Sequence, residues 1–199
     1  MNKYNYHEKD TRHQLFNLKP GQRQSWIGFA MSYHLLGDYD MAQSVLEEYR
    51  KTQQERPTPP ADKMYDTEHS EFLLYQNLVL REAKQYEEAL RHINIHEKDI
   101  FNKLVVAEIK YDLHMRLNAN DRAEIILRDL IERNAENKKY YFMLEKCLNL
   151  TTSEERTNLY ESLIAKYPRA DAPKQIQLEF LTGKYSTRFI AFHLVKSYV

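Results

Sequence analysis

His92 and His96 stand one helical turn apart, the spacing of a paired metal ligand. A metal centre needs at least a third ligand and groups that orient the first ones. Glu97 follows His96, but position 100 is Ile100, so the pair does not belong to a His-Glu-x-x-His helix. We therefore expect two exposed histidines at a helix end and no metal site. The lone cysteine, Cys147, lies between Lys146 and Leu148 with no histidine near it in sequence, so it reads as a buried packing thiol. Glu47-Glu48, Glu87-Glu88 and Glu154-Glu155 resemble paired carboxylates. Neighbours on a helix diverge by about 100° and cannot share one site, so these pairs are expected on solvated faces. The 4 glycines, Gly21, Gly28, Gly37 and Gly183, are all isolated, whereas phosphate-cradling loops need them clustered. The expectation is no catalytic residue, no cofactor site and no metal site.

Composition narrows the remaining classes. The chain has 199 residues, with 29 Lys plus Arg against 29 Asp plus Glu. Zero net charge argues against nonspecific nucleic-acid or membrane-surface binding as the main task. A single cysteine makes no internal disulfide. No apolar run approaches the roughly 18 residues of a membrane helix, and the first residues carry no signal-peptide core. The cytoplasm is the expected compartment, with the nucleus as a second one.

The elements that would position any site are helices. Glycine is scarce, Leu, Glu, Lys, Gln and Arg are abundant, and no alternating strand pattern occurs. Between Ser25 and Leu46, Trp26, Phe29, Ala30 and Tyr33 share one stripe, Gly37-Asp38 breaks the helix, and Ala42 and Leu46 follow. This is the tetratricopeptide pattern, in which the small residue marks a close helix crossing. Leu73, Leu80 and Ala83 with Ala89 and Ile93 repeat it, as do Ala107, Tyr111 and His114 with Ala123, Leu127 and Leu130. Ala89 and Ala123 stand 34 residues apart, the period of that repeat. Tyr140, Tyr141, Leu144 and Leu148 begin a degenerate fourth unit that ends near Pro168. The expected architecture is an all-α tetratricopeptide-repeat solenoid of antiparallel helix pairs over residues 1–184. Its units are about 25–50, 70–97, 104–134 and 140–168, after a partial unit at 6–18. A proline-rich loop at 52–64 interrupts it, and a divergent tail covers 185–199. The tail ends in an apolar run, Phe189 to Val195, where a solenoid should carry a polar cap, so the chain reads as part of a longer array.

First helices line the inner face of such an array. Partner-contact candidates there are Gln24, Met31 and His34 in the first unit. Leu74, Leu78 and Arg81 follow in the second, and Asp112 and Arg116 in the third. Peptide-carboxylate clamps place Lys and Asn at positions held here by Ile27 and Met31, so that binding mode is not expected. Apolar lining with scattered charge suits a protein helix.

Several segments go beyond the generic repeat. Lys19-Pro20, Ser25-Trp26-Ile27-Gly28, Tyr33-His34-Leu35-Leu36, Arg50-Lys51-Thr52-Gln53-Gln54 and Glu71-Phe72-Leu73-Leu74-Tyr75-Gln76-Asn77 are among them. Val79-Leu80-Arg81-Glu82-Ala83, Glu132-Arg133-Asn134, Tyr140-Tyr141 and Lys166-Tyr167-Pro168-Arg169 are others. Together they resemble the auxiliary, large subunit of the N-terminal acetyltransferase A complex, from about Tyr6 to Lys184. The resemblance implies a non-catalytic scaffold that supports a catalytic subunit in co-translational acetylation of protein N-termini and tethers it to the ribosome. Implied partners are that catalytic subunit, the ribosome and further auxiliary proteins of the complex, without a membrane or direct nucleic-acid specificity. The missing Gly-x-Gly or Gly-x-Ala turn of acetyl-CoA-binding acetyltransferases agrees with a non-catalytic role. Residues from this resemblance carry no cofactor or metal site onto the chain. The alternative is a free-standing tetratricopeptide-repeat adaptor that binds peptides or helices of other proteins.

Overall fold

Ala42, Ala89 and Ala123 are completely buried in the computed structural model, each on the second helix of a pair, where the two helices cross closely. The structure describes residues 3–54 and 63–182. Among them are ten helices and no strand: α1 (Lys3–Leu18), α2 (Arg23–Leu35), α3 (Tyr39–Gln54), α4 (Lys63–Glu82), α5 (Tyr86–Ile95), α6 (Lys103–Arg116), α7 (Asn120–Arg133), α8 (Lys138–Cys147), α9 (Ser153–Lys166) and α10 (Ala172–Thr182). The chain divides into two compact units, Met1–Val106 and Ala107–Val199. The architecture is the all-α solenoid of antiparallel helix pairs.

One turn is used four times. Gly37, Lys84, Asn118 and Asn149 take left-handed backbone, with φ of 78°, 62°, 56° and 52°. Each follows a first helix, and each donates its N–H to a carbonyl three residues back. The next residue donates to a carbonyl five residues back, which completes the Schellman closure. Only the turn between α2 and α3 uses glycine, which adopts this conformation without a Cβ penalty. Lys84→Gly should therefore raise stability, by about 0.5–1 kcal/mol in urea unfolding. A loss of stability would show that the lysine side chain contributes more than the strain removes.

In the first unit, α1 packs on α2, α2 on α3, α3 on α4 and α4 on α5. Aromatic rings stitch this series. Phe16 meets Trp26 at 4.6 Å, Trp26 meets Tyr49 at 5.9 Å, and Tyr49 meets Phe72 at 5.1 Å between centroids. The Trp26 indole donates to the Pro20 carbonyl, so its polar edge is satisfied and the ring serves the core. At the α4–α5 crossing, buried Asn77 donates through Nδ2 to the carbonyl of Ala89 at 2.8 Å. Ala89→Leu should overpack this crossing and cost about 1–3 kcal/mol; an unchanged thermal midpoint would remove the close-crossing assignment.

In the second unit, Tyr111, Ala123, Leu127, Leu130, Tyr140, Tyr141, Leu144, Tyr160, Leu163 and Ile176 form one buried cluster. Asn137 caps α8 through its side chain, and Thr152 and Glu155 form a capping box on α9.

Three helix extents differ from the sequence reading. α1 is one continuous helix from Lys3, longer than the partial unit at 6–18. Residues 52–54 and 63–64, assigned to the loop, are helical, because α3 and α4 each extend past the apolar stripe that marks them in sequence. The centre of that loop, 55–62, and the tail, 185–199, lie outside the described residues. α10 was not anticipated. Its Ala172 and Ile176 enter the second unit's core, with Pro173 in the first turn where a missing N–H costs nothing.

Candidate interaction surface

The first helices of successive pairs are tied to one another by long side chains. Arg23 on α2 donates through Nη1 to Glu68 of α4 at 2.7 Å and through Nε to the hydroxyl of Tyr49 at 2.9 Å. At the other end of α2, His34 places Nε2 at 2.7 Å from Glu82 Oε2 and Nδ1 at 3.2 Å from the Tyr75 hydroxyl. One neutral tautomer satisfies both contacts, with Nε2–H donating to the carboxylate and Nδ1 accepting from the phenol. Burial, reinforced by Glu82, pushes the Tyr75 hydroxyl up to about 12, so it remains a donor. The early residue Arg23 meets the earlier part of α4, and the late residue His34 meets its end. The two first helices therefore run parallel and in register, as adjacent repeats require.

The second unit uses the same device. Lys139 of α8 reaches Glu108 of α6 at 3.1 Å, and Lys138 reaches Glu179 of α10 at 2.9 Å. Glu136 accepts from the backbone N–H groups of Asp171 and Ala172 and so caps α10. α10 occupies the place of a further first helix, against α8.

The predicted contact residues fall on these helices. Gln24 is exposed on α2, with Met31 and His34 half-buried further along it. Leu74, Leu78 and Arg81 are half-buried on α4. His34 is brought directly to α4 through Tyr75 and Glu82, so it acts first as a connection between repeats. Asp112 and Arg116, in the second unit, pair with each other at 2.9 Å one turn apart on α6. Sequence reasoning did not single out Tyr75, Arg23 or Glu68. Their partners stand 41, 26 and 45 positions away, so only the register of the repeats could have revealed them.

His92 and His96 are not the exposed helix-end pair expected from sequence. Both are largely shielded, with ring centroids 4.8 Å apart. Their place on the stripe of Ala89 and Ile93 turns them toward α4, where His92 Nε2 lies 3.2 Å from Gln76 Oε1. Among the described residues, no group of three or more His, Cys, Asp or Glu is placed to hold a metal ion. Cys147 is buried, and its thiol donates to the Asn120 carbonyl at 3.3 Å. Burial raises its pKa, which is the reverse of what a nucleophile needs.

Comparison with known proteins gives this helical surface its context. The family profile described as N-terminal acetyltransferase A, auxiliary subunit, matches residues 67–198. The Homo sapiens protein N-alpha-acetyltransferase 16, NatA auxiliary subunit, is 47% identical over 176 residues, which cover 88% of this chain and 20% of that protein. The Arabidopsis thaliana N-terminal acetyltransferase A complex auxiliary subunit NAA15 is 34% identical over 194 residues, 93% of this chain and 21% of that protein. A chain of the solved structure of Naa15/Naa10 bound to HypK-THB superposes with a TM-score of 0.76 at 33% identity, covering 88% of this chain and 26% of that one. The present chain thus spans about a fifth of the length of the curated relatives it matches. On the profile match over most of its residues, with the same helical fold in a solved relative, this chain belongs to the family of N-terminal acetyltransferase A auxiliary subunits.

Proposed function

We propose that this chain is a scaffold segment without catalytic residues of its own. In this reading it supports the catalytic subunit of an N-terminal acetyltransferase A complex during co-translational acetylation and helps tether that subunit to the ribosome. The observation that carries the reading is 47% identity over 88% of the chain to a protein named as a NatA auxiliary subunit. The solved relative contains Naa15 together with Naa10 and HypK, which supports a catalytic subunit and a further auxiliary protein as partners. A scaffold changes activity by binding one conformation of its enzyme more tightly and so shifting the population toward it. The contact residues we assign are Gln24, Met31, His34, Leu74, Leu78 and Arg81 in the first unit and Asp112 and Arg116 in the second. The compartment that fits is the cytoplasm, with the nucleus as a second site. An affinity pull-down of this chain from cell lysate, with partners identified by mass spectrometry, tests the proposal. Recovery of the catalytic subunit or of ribosomal proteins supports it. Recovery of neither, by a chain shown to be helical, overturns it for these repeats.

A further inference from the structure

The join between α4 and α5 buries polar groups, Gln76 and Asn77, beside the apolar Ala89 and Ile93. Gln76 of α4 is buried and bridges three partners. Its carbonyl accepts from Gln43 of α3 at 2.9 Å, its side-chain amide hydrogen-bonds Glu47, and its Oε1 faces His92 Nε2 at 3.2 Å. His92 Nδ1 is buried and has no hydrogen-bond partner among the described residues. His96, one turn on, closes α5 by donating its backbone N–H to the His92 carbonyl, and its ring lies 3.7 Å from Asp99. The charged and titratable groups around the pair are Glu47 and Arg50 on α3, each histidine for the other on α5, and Asp99 in the following turn.

We infer that His92 and His96 form a proton-operated latch, which holds α5 against α4 when both rings are neutral and releases it when they are protonated. The neutral His92 ring uses its one N–H on Gln76 and leaves a bare lone pair at buried Nδ1, which is tolerable. A proton there would create a second N–H, on a charged ring, with neither water nor an acceptor to receive it. The ring must then swing out, and the Gln76 contact breaks with it. A second positive ring 4.8 Å away adds repulsion, and Arg50 opposes the charge on both. A histidine at a helix C-terminus would ordinarily be helped to protonate by the helix dipole. Here burial outweighs it. Burial, then His96 and Arg50, brings the His92 pKa down from 6.5 to about 4, and burial followed by Arg50 lowers that of His96.

The sign follows directly. Above pH 6.5 both the closed and opened states are neutral and the latch holds fully. As pH falls below 6.5 the opened state takes up protons first, and closure weakens until the closed-state pKa is reached. Hydrogen exchange of the full chain at pH 7.5 and pH 5.5, corrected for intrinsic rates, reads this out. For His92 alone, α5 amides should lose protection about tenfold over that interval, while those of α9, which carries no histidine, hold theirs. His92→Gln can still reach Gln76 but cannot titrate, and should flatten the response. Equal protection of α5 at both pH values, or the same loss in the variant, would overturn the latch. NMR titration of the wild-type imidazoles supplies an independent check. A His92 midpoint below about 5 supports the proposal, and one at or above 6 overturns it.

Discussion

Asn77→Asp should destabilise the first unit by roughly 4 kcal/mol at pH 7 and by almost nothing near pH 4. The substitution changes one NH₂ group to an oxygen and leaves the shape alone. Asn77 is completely buried on α4, and its Nδ2 donates to the Ala89 carbonyl. Its Oδ1 has no partner among the described residues. A carboxylate at this position would set one oxygen against a carbonyl oxygen and give the other no donor. Both desolvation and the missing hydrogen bonds favour the protonated acid, which can itself donate to Ala89. A folded-state pKa about 3 units above the ordinary carboxylate value follows from burial of this depth. The variant then matches the parent below pH 4, where folded and unfolded chains are both protonated. It loses ground as the unfolded chain ionises, and the deficit stops growing at the folded-state pKa, near pH 7. Urea unfolding of parent and variant at pH 7 and just below pH 4 measures the difference. A deficit below 1 kcal/mol at pH 7, or one equal at both pH values, would mean that water or a donor reaches this crossing.

The same neighbourhood shows what a sequence can and cannot reveal in a repeat protein. Ala42, Ala89 and Ala123 were legible because close crossing demands a small side chain at the same place in each helix pair, and all three are fully buried. Gly37 was legible as the left-handed turn residue. Lys84, Asn118 and Asn149 occupy the same backbone state, but a lysine carries no such signal; only its place in the repeat does. The shielding of His92 was available in principle. Ala89 and Ile93 mark the buried stripe of α5; His92 follows Ala89 by three residues and the C-cap His96 follows Ile93 by three, so both fall beside that stripe. Links such as His34 to Glu82, 48 positions apart, depend on how two repeats stack, which local periodicity does not encode. α10 was hidden by Pro168, which ends α9 but says nothing of what begins four residues later. The candidate contact residues lie on first helices, as their spacing implied. That His34 already serves the fold, through Glu82 of the next first helix, became visible only in three dimensions, whereas the Asp112–Arg116 pair follows from i,i+4 spacing alone.

In the second unit, Glu145→Ala should cost about 2–4 kcal/mol and exceed Glu145→Gln by at least 1 kcal/mol. Glu145 of α8 accepts from the hydroxyl of Tyr160 and from Arg156 Nη2, both on α9, through the same carboxylate oxygen. Tyr160 is fully buried, with its ring 6.2 Å from Tyr141 and 5.7 Å from Phe180. Burial and the carboxylate together push its hydroxyl pKa far up, so it is always a donor. The Arg156 guanidinium lies over the Phe180 ring at 4.4 Å, which fixes the cation between α8, α9 and α10. Removing the carboxylate strands two donors at once, a buried phenol and a guanidinium held away from water on most sides. Glutamine keeps an acceptor for the phenol and gives up only the charge. Tyr160→Phe, by contrast, removes one donor and leaves the Arg156 pair intact, at about 1 kcal/mol. Combined with Glu145→Ala, it should cost less than the sum of the two, because the orphaned hydroxyl no longer exists. Denaturant unfolding of the four proteins closes this cycle. Equal losses for the alanine and glutamine variants, with strict additivity in the double variant, would show that Glu145 contributes packing alone and that α9 is held by the apolar cluster without it.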